Sequence, residues 1–318
     1  MEQIPSLLPH AAHARQVLSS RVLRRHVVAG VDGSDASLAA LDQAVVEAVH
    51  RQVPLEIVYG WPWEPRDTAV FGLAHEIALA PADAARMVLH LAEVRAHQQA
   101  PQLQVRQTLT TEDASTALLQ RGADAALTVV GSRALGRLRA MVLGSVGARL
   151  VAQATYPVLV VHDAARVRKR KRIVVGVGGE EDACAVRFAV EEAHRTDSHL
   201  LVLHACTHPQ ADGHGRDGHD GHGRGGDGRG GDRGEEHARA AMAVTAAGTA
   251  LATYPDVTVE TATVHDEADH ALTIASRDAD LLVIARHPHH RTFGAHLGPV
   301  AHQVLLHSHC PVALIPAG

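Results

Sequence analysis

Aromatic residues make up only 3% of this 318-residue chain, so its cores must be packed by Ala, Val and Leu rather than by large rings. The three cysteines, Cys184, Cys206 and Cys310, are too few and too odd in number for a disulfide framework. Lysine occurs at two positions, Lys169 and Lys171. Lys+Arg is 30 against Asp+Glu 35, a net charge of −5, so the global basic excess of a nucleic-acid binder is missing. No apolar run approaches the roughly 18–20 residues of a membrane span, and none is expected. The opening MEQIPSLLPHAAHARQ carries an early acid, Glu2, and no continuous apolar stretch, which does not read as a secretory signal. Together with the sparse cysteines, this makes the cytoplasm the expected compartment.

What is present in quantity is apolar residues, at 46%, and histidine, at 25 copies. The length suits about two domains at roughly 100–200 residues each. An internal repeat sharpens that expectation. His26-VVAGVDG-Ser34 matches Arg172-IVVGVGG-Glu180, and Leu55-EIVY-Gly60 matches Leu200-LVLH-Ala205. Val105 to Val161 then matches Val259 to Ile315, ending with Tyr156–Val161 opposite Cys310–Ile315. Three blocks in one order divide the chain into a tail over 1–21, a first domain over 22–163, a basic linker over 164–171 and a second domain over 172–318. The linker, AARVRKRK, lacks an apolar face and reads as a solvated connection.

Each copy alternates short apolar runs with segments of helical periodicity. In the first copy the strands fall at Val27–Val31, Leu55–Tyr59, Val105–Leu109, Leu127–Val130 and Val158–Val161. Helices are expected over Ser34–Gln52, Ala84–Gln98, Thr111–Arg121 and Val146–Ala152, with Ser34 or Asp35 capping the first. Strands with continuous apolar runs such as Val27–Ala29 and Val158–Val161, separated by helices, predict an α/β fold with a five-stranded parallel sheet covered on both faces in each copy. Ligands of such sheets bind beyond the carboxyl ends of the strands, where the strand order reverses.

Two strand ends of the first copy carry suggestive chemistry. One is Gly30-Val31-Asp32-Gly33-Ser34, with a carboxylate at the tip of strand one. The other runs from Gly131 at the end of strand four to Gly144-Ser145-Val146 at the start of a helix. Glycines admit close backbone approach, and a helix N-terminus offers free N–H groups to phosphate. Arg133, Arg137 and Arg139 add charge nearby. Within the first copy neither GxxxxGK[ST] nor a complete GxGxxG occurs. Two tight turns and an ordinary capped helix would also account for these glycines.

The segments VVAGVDGSDAS, VVGSR…LGSV and YPVLVV resemble the universal stress protein family, over nearly the whole chain outside the tail, linker and insertion. The resemblance implies two tandem Rossmann-like domains of the adenine nucleotide alpha hydrolase-like type. The ATP-binding members of that family carry G-x2-G-x9-G-[ST]. Gly131 and Gly144-Ser145 hold its first and last places, while Ala134 replaces the middle glycine. By that resemblance Val31, Asp32 and Gly60 would line an adenosine pocket, Val130, Gly131 and Arg133 would flank ribose and phosphates, and Gly144, Ser145 and Val146 would hold the phosphate chain. ATP with Mg²⁺ is the implied ligand. Pairing of the two domains within the chain is the implied assembly, and a homodimer of chains is a further arrangement.

The second copy departs from this pattern. Asp32 is answered by Gly178, Gly131 by Ala285, Ala134 by Pro288 and Ser145 by Pro299, while Gly144 persists as Gly298. Both prolines remove a backbone donor, so this copy is expected not to bind ATP in the same manner. The segment 211–234 holds 11 Gly, 5 Asp, 4 Arg, 3 His and 1 Ala, with almost nothing to bury, and is expected to be a disordered insertion. Its His214, His219 and His222 are weak candidates for Ni²⁺ or Zn²⁺. Seven further histidines, His287, His289, His290, His296, His302, His307 and His309, cluster around the altered motif. No nucleophile–base pair or GxSxG elbow is present in the sequence. The leading expectation is an ATP-binding regulatory module with one competent site. A slow ATPase using Asp32 and a nucleotide-free scaffold or metal binder using the His-rich loop stand beside it.

Overall fold

The computed structural model describes residues 26–61, 81–134, 141–142, 144–162, 170–206, 244–245, 248–287 and 297–317. The insertion 211–234 and its three histidines, together with Arg137, Arg139, Pro288, His289, His290 and His296, lie outside the described residues. The chain divides into two compact units.

In the first unit the order is β1 (Val27–Gly30), α1 (Asp35–Arg51), β2 (Leu55–Gly60), α2 (Pro81–Gln99), β3 (Val105–Thr110), α3 (Ala114–Gly122), β4 (Leu127–Gly131), α4 (Ser145–Gln153) and β5 (Val158–Val161). The strands pair in parallel in the order β5-β4-β1-β2-β3. Val27 is in register with Leu55 on one side and Leu127 on the other. The sequence runs outward from β1 to β2 and β3, then returns to the opposite side of β1 with β4. The gap between β1 and β4 is therefore the switch point of the sheet.

Helix formation follows the pattern of small apolar residues. In α1, Ser37, Ala40, Leu41, Ala44, Val45 and Ala48 are buried, a stripe at helical spacing against β1, β4 and β5. Ser34, not Asp35, caps it, its side chain accepting from the Ser37 N–H. The helix ends at Gln52 in the left-handed region, at φ 55. Helix α3 begins at Ala114 rather than Thr111 because the Asp113 carboxylate accepts from the N–H groups of Ser115 and Thr116. The core is aliphatic: Val27, Val28, Ala29, Leu41, Leu55, Ile57, Leu127, Val129 and Val160 are buried. Complete burial of each Val, Leu or Ile side chain is worth roughly 1.5–3 kcal/mol.

The second unit repeats the plan with β6 (Arg172–Val177), α5 (Ala183–Thr196), β7 (His199–Cys206), α6 (Gly248–Thr253), β8 (Val259–His265), α7 (Ala268–Ser276), β9 (Leu281–Arg286), α8 (Pro299–His307) and β10 (Val312–Pro316). Its parallel order is β8-β7-β6-β9-β10. The end of the basic segment 164–171 is not a freely solvated connection. The backbone N–H groups of Arg170 and Lys171 donate to the two carboxylate oxygens of Asp280, at 2.8 and 2.6 Å. Lys171 reaches Asp197 at 2.6 Å, and the Arg170 guanidinium pairs with Asp278. No helix among the described residues is long and apolar enough to cross a membrane.

Candidate functional site

The first unit has an open cleft at the carboxyl ends of its central strands. Gly30, Val31 and Asp32 contribute the end of β1, Val58 the end of β2, and Val130 and Gly131 the end of β4. Ala114 and Leu118 come from α3, and Gly144, Ser145, Val146 and Gly147 from the start of α4. The cleft thus lies at the switch point, with a helix N-terminus on one wall.

The turn after β1 is tightly specified. Gly33 adopts φ +82, a left-handed conformation that L side chains rarely take, and so reverses the chain into α1. Asp32 is exposed, and its Oδ1 accepts from both the backbone N–H of Ser34 at 3.0 Å and the Ser34 hydroxyl at 2.5 Å. The Asp32 N–H donates to Ser37 Oγ at 3.2 Å, and Ser37 Oγ donates to Ser34 O at 2.9 Å. This network holds the Asp32 carboxylate at the strand tip.

The glycines divide by role. A Cβ on Gly131 would lie 2.3 Å from the Ala36 carbonyl oxygen, so the bare Cα there lets α1 sit against β4. A Cβ on Gly60 would meet Ala114 Cα at 2.4 Å, which makes Gly60 a close-packing position for α3. Gly60 is not among the residues lining the cleft.

Helix α4 carries the phosphate-compatible end. Gly144 is the N-cap and Ser145 the first helical residue, one position earlier than periodicity suggests. No side chain caps this helix, and its first turn holds no acid. Among the described residues, the N–H groups of Ser145, Val146 and Gly147 are thus without a side-chain acceptor in a turn that lines the cleft. Gly144, and not Ser145, holds the cap position. Val31, Asp32, Val130, Gly131, Gly144, Ser145 and Val146 are therefore brought together. Arg133 lies just past β4 in a two-residue strand, Arg133–Ala134.

Sequence reading passed over Arg149. Its Nη1 donates to Asp113 Oδ2 and to Ser115 Oγ, each at 2.9 Å, tying α4 to the start of α3 beside the cleft-lining Ala114. Asp113 also accepts from Thr116 and Ser115, and those hydrogen bonds outweigh its desolvation by burial to bring its carboxyl to about 2. The missed signal was an Asp that begins a helix, with an Arg four residues after Ser145 in the next.

At the matching end of the second unit the chemistry differs. The Gly178 N–H donates to Asp182 Oδ2 at 2.5 Å, and His287 Nε2 contacts Asp182 Oδ1 at 2.6 Å. Asp182 is buried. Helix α8 is preceded by Gly298 and has Pro299 in its first turn, so one N–H is missing there. Among the described residues no group of three or more His, Cys, Asp or Glu side chains is arranged to hold a metal ion.

A model of the universal stress protein family matches residues 23–162 and again 169–316. A universal stress protein of Mycolicibacterium smegmatis is 27% identical over 299 residues, covering 91% of this chain and 96% of the relative. One of Mycobacterium tuberculosis strain H37Rv is 28% identical over 310 residues, covering 92% and 98%. Among solved structures, a universal stress protein of Archaeoglobus fulgidus DSM 4304 superposes with a TM-score of 0.67 over 93% of this chain and 99% of that one. At 13% identity this last likeness speaks for the fold alone. With two successive matches spanning most of its length, the chain belongs to the universal stress protein family.

Proposed function

We propose that the first unit binds ATP with Mg²⁺ and that the protein acts as a nucleotide-responsive regulatory module rather than a designed catalyst. The observation that carries this is the uncapped, acid-free N-terminus of α4, opening into the cleft at the β1/β4 switch point. Gly144, Ser145 and Val146 would hold the phosphate chain through backbone N–H groups. Asp32, Val31, Val130 and Gly131 would flank the nucleoside, and the Asp32 carboxylate would offer an oxygen ligand to Mg²⁺. Arg133 stays in the proposed set by its place after Gly131, and Gly60 supports the site by seating α3. The metal would neutralise phosphate charge, and the chain supplies the orientation.

The second unit is the degenerate partner. Asp182 puts a buried negative charge beside the Gly178 N–H, and Pro299 removes a donor from the helix turn, both unfavourable to an anion. The domains would run over 22–163 and 172–318, with a tail over 1–21, a linker over 164–171 and an insertion over 211–234. They would pair within the chain in a cytoplasmic protein, with a homodimer of chains as a further arrangement.

Equilibrium dialysis with Mg²⁺ and ATP on the full chain tests this, with Ser145→Pro as the variant. That change copies Pro299 of the second unit, and proline is well tolerated in the first helical turn. One ATP per chain, lost in Ser145→Pro, is expected. No ATP bound to the wild type refutes the reading, and two per chain refutes the degenerate second unit.

A further inference from the structure

We propose that Arg149 makes the first-unit cleft selective for nucleotides with a phosphate chain, leaving Asp113 to pair with the phosphates as they enter. This rests on the reading of that cleft as a nucleotide site. Ser145 and Arg149 are four residues apart in α4 and so share one face of the helix. Ser145 lines the cleft. Helical side chains lean toward the N-terminus, so the long Arg149 side chain lies over the turn that carries Ser145.

In its present position Arg149 does not itself line the cleft. The guanidinium Nη1 sits 2.9 Å from Ser115 Oγ, one residue from Ala114, which lines the cleft. The Asp113–Arg149 pair is exposed, with side-chain accessibilities of 47% and 46%, so it is weakly held and readily exchanged for a stronger anion. A phosphate chain carries more charge than one carboxylate and takes arginine in bidentate geometry. A cation at the midpoint of α4 gains nothing from the helix dipole, which acts within the first and last turns, so helix stability does not explain it.

The second unit is an internal comparison. Its α8 begins after Gly298 as α4 begins after Gly144, and the residue at the Arg149 place is Gln303. The N-cap of α7, at the Asp113 place, is Glu267, which makes no side-chain cap bond. The cation and its holding carboxylate are therefore altered in the same copy that has Pro299.

Calorimetric titration of the full chain with Mg²⁺-ATP and with adenosine tests the proposal in wild type, Arg149→Ala, Arg149→Lys and Asp113→Asn. Asparagine keeps the helix cap while removing the charge. Arg149→Ala should weaken ATP about tenfold, the scale of one charge-assisted hydrogen bond, and leave adenosine unchanged. Arg149→Lys should recover part of the loss. Asp113→Asn, which frees the arginine, should tighten ATP by a few fold. The logarithmic salt dependence of ATP binding should become shallower in Arg149→Ala. An equal loss for ATP and adenosine, or no loss, overturns the selectivity role. Weaker ATP binding in Asp113→Asn overturns the exchange. Wild type that binds neither ligand defeats the nucleotide reading itself, a result distinct from both.

Discussion

Glu56 should make the first unit's stability depend steeply on acid pH. Its side chain is 5% accessible, at the start of β2, facing α3. Arg121 Nη1 donates to Oε1 at 2.7 Å and Thr108 Oγ1 donates to the same oxygen at 2.8 Å. His26 Nε2 stands 3.3 Å from Oε2. The His26 contact lowers the carboxyl most, burial opposes it, and Thr108 and Arg121 lower it further, from 4.5 to about 2. The full shift corresponds to about 3 kcal/mol at about 1.36 kcal/mol per tenfold in proton affinity. The His26 contact is poorly aligned, and its Nε2 has no other hydrogen-bond partner among the described residues, so the expected contribution is about 2 kcal/mol. A depressed carboxylate contributes its stability above the unfolded value of about 4.5 and loses it as pH falls toward about 2. Urea unfolding of wild type and Glu56→Gln, followed by tryptophan fluorescence, reads this in one unit, because Trp61 and Trp63 both lie in the first half of the chain. The stability gap should be about 2–3 kcal/mol at pH 7 and shrink by about 1.5–2 kcal/mol at pH 3. A gap that stays the same between those pH values would refute the charged role and leave only packing.

Two other consequences follow from burial and close approach. Gly131→Ala would press a methyl against the Ala36 carbonyl, so it should destabilise the first unit by about 1–3 kcal/mol in the same fluorescence-detected urea titration. An unchanged midpoint would mean α1 shifts freely, and the same clash makes bulky changes at Gly131 unsuitable as pure binding probes. Burial first, and then nearby Asp280, raises the Cys310 thiol to about 12, so it should resist alkylation in the native protein at pH 8 and react only on unfolding. Peptide mapping after iodoacetamide treatment checks this, and early labelling of Cys310 would show that β10 opens.

Much of the plan was legible because it depends on local spacing. Continuous apolar strands such as Val27–Ala29 and Val158–Val161 have side chains buried on both faces, and only a covered parallel sheet provides that. The repeat announced two such units. Helix starts were less legible, since capping depends on which side chain turns back onto the backbone. Asp113 displaced the start of α3 to Ala114, and Gly144 took the cap position before Ser145. The basic segment read as solvated because its partners, Asp280, Asp278 and Asp197, are distant in sequence.

The sequence alone determined the alternation of strands and helices, the doubling of the unit and the cluster Asp32, Gly131, Gly144 and Ser145, because each is a matter of residue type at short range. Only the tertiary structure decided what those residues face. Gly131 and Gly60 proved to be sites where helices come within contact of the sheet, a constraint set by neighbours more than 50 residues away. It also brought Arg149 to Asp113 and Asp182 to His287. Side-chain pairs of that kind form where separate helices and strands converge, and no periodicity along the chain records the convergence.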